Sequence, residues 1–96
     1  MDVRAQLDEQ RNQILQIADQ YGVKNIRIFG SVARGEAGQS SDIDLLVDLH
    51  AQWTLLDHVG FMQALGDLLG RRVDVVVEAG LRDALRKRIL KEAIPL

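Results

Sequence analysis

Aspartate is a poor strand former, yet two of the three aliphatic runs in this chain carry it. DIDLLV opens with Asp42 and Asp44, and RVDVVV holds Asp74 among valines. The third run, KNIRIF, alternates so that Ile26 and Ile28 share a face, with Val23 and Phe29 beside them. Three short strands are therefore predicted, and helical stripes separate them. Val3, Leu7, Ile14, Ile17 and Tyr21 recur at helical spacing, predicting an N-terminal amphipathic helix stopped by Gly22. Thr54 and Asp57 form a capping-box signature ahead of Leu55, Leu56, Val59, Met62, Leu65 and Leu69, with Gly70 as the stop. Leu81, Leu85 and Ile89 mark a last helix, ended by Pro95. The expected fold class is α/β (α+β): one domain over residues 1–96, with a small mixed sheet of about three strands covered by helices. The connection between the first two strands is long enough for a crossover or an antiparallel return, so strand direction stays open.

Composition narrows the function class. A chain of 96 residues with 47% hydrophobic and 27% charged residues can bury one modest core, which is aliphatic because only 4% is aromatic. The absence of cysteine excludes disulfides, thiolate metal sites and a cysteine nucleophile. A formal net charge of −2 argues against a general nucleic-acid binder. No stretch has the length of a membrane span or the form of a signal peptide, so a cytoplasmic location is expected.

The segment Gly30–Val47, GSVARGEAGQSSDIDLLV, carries the chemistry. Residues i and i+2 of a strand share a face, so Asp42 and Asp44 point the same way, their Cα atoms about 6.5–7 Å apart. Two such carboxylates suit Mg²⁺, which takes one or two carboxylates together with substrate phosphates. Asp74 completes a triad if the second and third strands are neighbours, and can then ligate metal or orient or deprotonate an attacking hydroxyl. A pair of ions about 3.5–4 Å apart is the recurring arrangement for in-line phosphoryl or nucleotidyl transfer. Gly30 and Ser31 are expected to form a tight turn into a short helix, whose free N–H groups and dipole favour phosphate, with GEAGQSS as an exposed loop. Arg34 lies one turn on, with a fork of donors for the same phosphates.

Gly30-Ser31, ten intervening residues and Asp42-Ile-Asp44 resemble the G-S-x10-D-x-D signature of the DNA polymerase β-like nucleotidyltransferase superfamily. The fuller string, together with the N-terminal helix and the LRDALRKRILKEAIPL ending, is similar to its minimal branch, the MNT domain proteins. The resemblance implies a palm-like fold and assigns Gly30, Ser31 and Arg34 to the nucleotide. It assigns Asp42 and Asp44 to two Mg²⁺ ions, with Asp74 as third carboxylate. It further implies an antitoxin that transfers AMP from ATP to a tyrosine hydroxyl of a partner HEPN ribonuclease toxin, the two forming a hetero-oligomer. A chain this short leaves little beyond a nucleotide-binding palm, so most acceptor specificity must come from the acceptor. Two alternatives stand beside it: a binding antitoxin acting by occlusion, and transfer to a small hydroxylated molecule.

Plainer accounts exist for each feature. The two acids can flank a turn and face water, and Asp74 can be an edge-strand charge that discourages aggregation. Arg71, Arg72 and the basic stretch Arg82–Lys91 fit a solvated face. His50 and His58 lack ligand partners at suitable spacing, and Trp53 is expected to pack rather than stack on a base. Phe61 and Leu68 widen the apolar face of the third helix beyond one core stripe.

Overall fold

Asp2 starts the first helix by accepting the Ala5 N–H at 2.9 Å, the bond an N-cap aspartate is suited to make. The computed structural model describes residues 2–38 and 41–96. The expected single N-terminal helix is two: α1 (Val3–Glu9) and α2 (Arg11–Tyr21), broken at Gln10, whose ψ of 13° departs from helical geometry. The apolar stripe survives the break, which is why spacing alone predicted one element. Gln6 and Gln10 send their side-chain amides to the carbonyls of Leu69 and Leu68, at 2.7 and 3.4 Å. Those carbonyls end α3 (Leu55–Leu69) and have no partner within the helix. The α1–α2 junction thus caps a helix more than fifty residues away in sequence.

The three expected strands are β1 (Val23–Phe29), β2 (Ile43–Leu49) and β3 (Val73–Val77). After β3 come one 3-10 turn (Glu78–Gly80), α4 (Asp83–Glu92) and a fourth strand, β4 (Ile94–Pro95). β4 was not expected, because two residues carry no periodic pattern and Pro95 argues against a strand interior. Proline is acceptable there because β4 is an edge. It ties the C-terminus down through the Leu96 N–H, which donates to the Ile26 carbonyl at 3.0 Å.

The sheet order is β3-β2-β1-β4, with β1–β2 and β1–β4 antiparallel and β2–β3 parallel. α3 is the crossover that makes the parallel pair possible. Its capping box is present in both directions, Thr54 accepting from the Asp57 N–H and Asp57 from the Thr54 N–H. One sheet face, built from Ile26, Ile28, Ile43, Leu45, Val47, Val73 and Val75, packs with Leu7, Ile14, Ala18, Phe61, Leu65 and Leu69 into the core. The register places Arg27 beside Leu46, Phe29 beside Asp44, Asp44 beside Asp74 and Leu46 beside Val76 on the opposite face. Buried Leu46 and Ile89 stand outside the main cluster, and α4 lies over the β1 side of this second face. The acids thus lie on the less completely covered side of the sheet. No helix among the described residues is long and apolar enough to cross a membrane.

Candidate active site

β1 ends at Phe29, and Gly30 then turns the chain with φ +76°. Gly30 is buried, and a Cβ there would lie 2.2 Å from Asp44 Oδ2. Both the left-handed backbone and the close approach of the carboxylate require glycine. The short helix expected after Gly30 does not form. The Arg34 N–H reaches the Gly30 carbonyl at 3.1 Å, and then Gly35, at φ +73°, closes the turn. Glu36 N–H returns to the Ser31 carbonyl at 2.8 Å, which ends the segment after one turn. The donors near Gly30 are therefore those of a turn, with no helix dipole behind them. Of the loop expected over GEAGQSS, Gln39 and Ser40 lie outside the described residues.

Asp42 is half-buried just ahead of β2, and Asp44 is half-buried one residue into it. Asp74 is exposed on β3, directly opposite Asp44 in the parallel register. The Ile43 N–H donates to the Arg72 carbonyl at 2.9 Å and fixes that register at the strand mouths. Burial pushes the Asp44 carboxyl up from its ordinary value, and the neighbouring charges of Asp74 and Asp42 push it further. Three oxygen donors that repel one another form a set a hard divalent cation would relieve. Among the described residues no group of three or more His, Cys, Asp or Glu side chains is arranged so as to hold a metal ion. An ion held at this set would need phosphate oxygens and water to complete its shell.

Arg34 is exposed, and its guanidinium is engaged on two sides. Nε donates to Glu36 at 3.1 Å, while Nη1 donates to the two Glu92 oxygens at 3.3 and 3.0 Å. The Gly30 N–H also donates to Glu92, at 2.9 Å. These bonds from Gly30 and then Arg34 hold the Glu92 carboxyl below the usual glutamate range. Sequence reading missed Glu92, which lies just past the basic stretch Arg82–Lys91. Its spacing was the available signal: it follows Ile89 by three residues and so shares the helix face that meets the sheet.

A second charged set secures this side of the fold. Arg27 bonds Glu78 and also Asp48, the latter at 3.1 Å, and Arg86 bonds the other Glu78 oxygen at 3.1 Å. Arg86, in the basic segment, therefore helps fasten α4. Trp53 packs edge-on against His50, His58 and Phe61, with ring centroids 6.1–6.3 Å apart. His50 is exposed and His58 half-buried.

A model of the nucleotidyltransferase domain family matches residues 10–96. The chain is 38% identical over 79 residues to the protein adenylyltransferase MntA of Thermococcus cleftensis, covering 82% of this chain and 80% of that protein. A solved structure, provisionally described as a minimal nucleotidyltransferase, superposes with a TM-score of 0.87 at 49% identity, covering 100% of this chain and 97% of that one. A tri-AMPylated HEPN toxin of Shewanella oneidensis in complex with its MNT antitoxin supplies another match, with a TM-score of 0.70 at 19% identity. It covers 92% of this chain and 69% of that one, and at this identity it supports the fold alone.

Proposed function

The chain belongs to the nucleotidyltransferase domain family, and on that premise we propose that it is a Mg²⁺-dependent antitoxin that transfers AMP from ATP to a tyrosine hydroxyl of a partner HEPN ribonuclease toxin. The observation that carries the reading is the contact between the Gly30 turn and the acid set: Gly30 abuts Asp44, and Asp44 stands opposite Asp74. A phosphate-binding turn and a metal-binding acid set must be neighbours for the phosphates of ATP to reach both. Transfer of AMP to a protein is supported by the relative named a protein adenylyltransferase, and a toxin as that protein by the sequence resemblance to MNT domain proteins.

In this reading Gly30, Ser31 and Arg34 orient the triphosphate. Asp42 and Asp44 hold the metal side of the site, with Asp74 as third carboxylate. Bound Mg²⁺ would supply charge neutralisation at the phosphates and a lower barrier to in-line displacement. Asp74, exposed and beside Asp44, would accept the proton of the incoming tyrosine hydroxyl. The tyrosine oxygen forms a bond to the α-phosphorus, the bond from that phosphorus to the oxygen bridging the β-phosphate breaks, and pyrophosphate leaves with the electron pair.

The test is to incubate the protein with ATP, Mg²⁺ and its co-expressed partner, and to read AMP mass on the partner. Equal transfer by the Asp42→Ala/Asp44→Ala protein would overturn the mechanism. Neutralisation by occlusion is the second reading, favoured by Leu55, Leu56 and Val59, which are 78%, 83% and 52% exposed on α3. Protection that survives loss of the acids selects it.

A further inference from the structure

We propose that the Glu92 carboxylate is a built-in competitor of the nucleotide, occupying Gly30 and Arg34 until a triphosphate displaces it. The inference rests on the phosphate-binding reading of the Gly30 turn given above. Glu92 accepts from the Gly30 N–H at 2.9 Å and from Arg34 Nη1 at 3.0 and 3.3 Å. A backbone N–H and a guanidinium nitrogen converging on one anionic group form a donor pattern that a phosphate can take. Here the chain supplies the anion itself.

The surroundings allow the exchange. A groove of about 280 Å³ runs between the turn and α4, bounded by Phe29, Leu85 and Ile89, with Arg88 at its side. Glu92 is the last residue of α4, so its side chain can swing while the helix stays in place. α4 is fastened independently by Arg86 to Glu78, and the following residues by the pairing of β4 with β1. Arg34 keeps its Glu36 partner when Glu92 leaves, so the guanidinium remains held for an incoming phosphate. A triphosphate must therefore exchange one anion for another, and its apparent affinity is reduced by the fraction of molecules in which Glu92 is bound.

The experiment compares Mg²⁺–ATP binding to the wild type, Glu92→Gln and Glu36→Gln proteins by calorimetry, with circular dichroism confirming the fold of each. Glu92→Gln keeps the shape and removes the charge, and binding is expected to tighten about fivefold to tenfold, since charge-assisted hydrogen bonds are roughly twice as strong as neutral ones. Glu36 touches the same arginine but not Gly30, so Glu36→Gln reports the general effect of losing one negative charge and is expected to gain less than twofold. Weaker binding by Glu92→Gln would make Glu92 a positioning residue and overturn the proposal, as would equal gains in the two variants. As a second measurement, the wild-type Gly30 amide resonance should move on addition of Mg²⁺–ATP and move to a similar place in Glu92→Gln; an unmoved amide in a protein that binds ATP also overturns it. If none of the three proteins binds ATP, the nucleotide reading itself falls, and the competitor with it.

Discussion

Asp44 on β2 and Asp74 on β3 are partners in a parallel register, two carboxylates side by side on one sheet face. Burial and repulsion from Asp74 and Asp42 raise the Asp44 carboxyl, so the folded protein holds this group at a cost. Asp44→Asn should therefore melt higher than the wild type in chelator-treated buffer. Solvent screening of this half-buried group keeps the expected gain to a few degrees at most. The same variant should lose AMP transfer by two orders of magnitude or more, on the order of what a lost transition-state contact costs. Thermal melts and a transfer assay on one preparation check both; a variant that melts lower and transfers normally contradicts the assignment.

Nucleotide and metal should stabilise the fold together more than either does alone, because no described group of acids is arranged to hold an ion and the proposed mechanism has phosphate oxygens complete its shell. At a ligand concentration of about 100 times Kd the gain is about 2.7 kcal/mol. Asp42→Ala/Asp44→Ala should abolish it. Differential scanning fluorimetry with Mg²⁺, ATP, both, and both plus chelator reads the outcome directly.

Gly30 and Gly35 share a left-handed backbone but differ in what surrounds them. Gly30→Ala places a Cβ 2.2 Å from Asp44 Oδ2, whereas Gly35→Ala meets nothing within 4 Å. Gly35→Ala should cost only the backbone strain, about 1–2 kcal/mol. Gly30→Ala should cost that plus displacement of the Asp44 carboxylate, and should remove transfer activity. Urea unfolding of the two variants separates the effects; equal losses would mean that contact with Asp44 contributes nothing.

Hydrogen bonds from Arg27 and then Arg86 hold the Glu78 carboxyl below its ordinary value. A depressed carboxyl stabilises the fold fully above its unfolded pKa, about 4.3 for glutamate, and the contribution fades as pH falls through the lower folded value. The difference in melting temperature between wild type and Glu78→Gln should therefore be largest near neutral pH and shrink as the pH falls below about 4. Melts across that range check the sign; a gap that widens in acid refutes it.

Strands β1 to β3 and the cap of α3 were legible because each rests on local chemistry: alternation, valine-rich runs, and Thr54 answered by Asp57. The contact of Gly30 with the acids was legible only as a motif, since nothing in residues 30–44 says how the chain closes between them. The expected helix after Ser31 failed because Gly35 reverses the backbone, a stop that the spacing alone did not register. The break at Gln10 is set by distant carbonyls on α3, and β4 by pairing with β1, so neither leaves a periodic trace. Glu92 left a trace only in its three-residue spacing from Ile89, which gave its helix face but not its partners. Its partners Gly30 and Arg34 lie 62 and 58 positions away, and composition counts charge without showing which groups meet.

Because β2 and β3 run parallel, the third acid arrives only after a fifteen-residue helix has carried the chain back across the sheet. Asp42 and Asp44 are neighbours from synthesis onward, while Asp74 joins them through a contact of high sequence separation, the kind that forms late. In the proposed mechanism the triad would be complete only once α3 and β3 are in place, which would confine transfer to chains whose topology is finished.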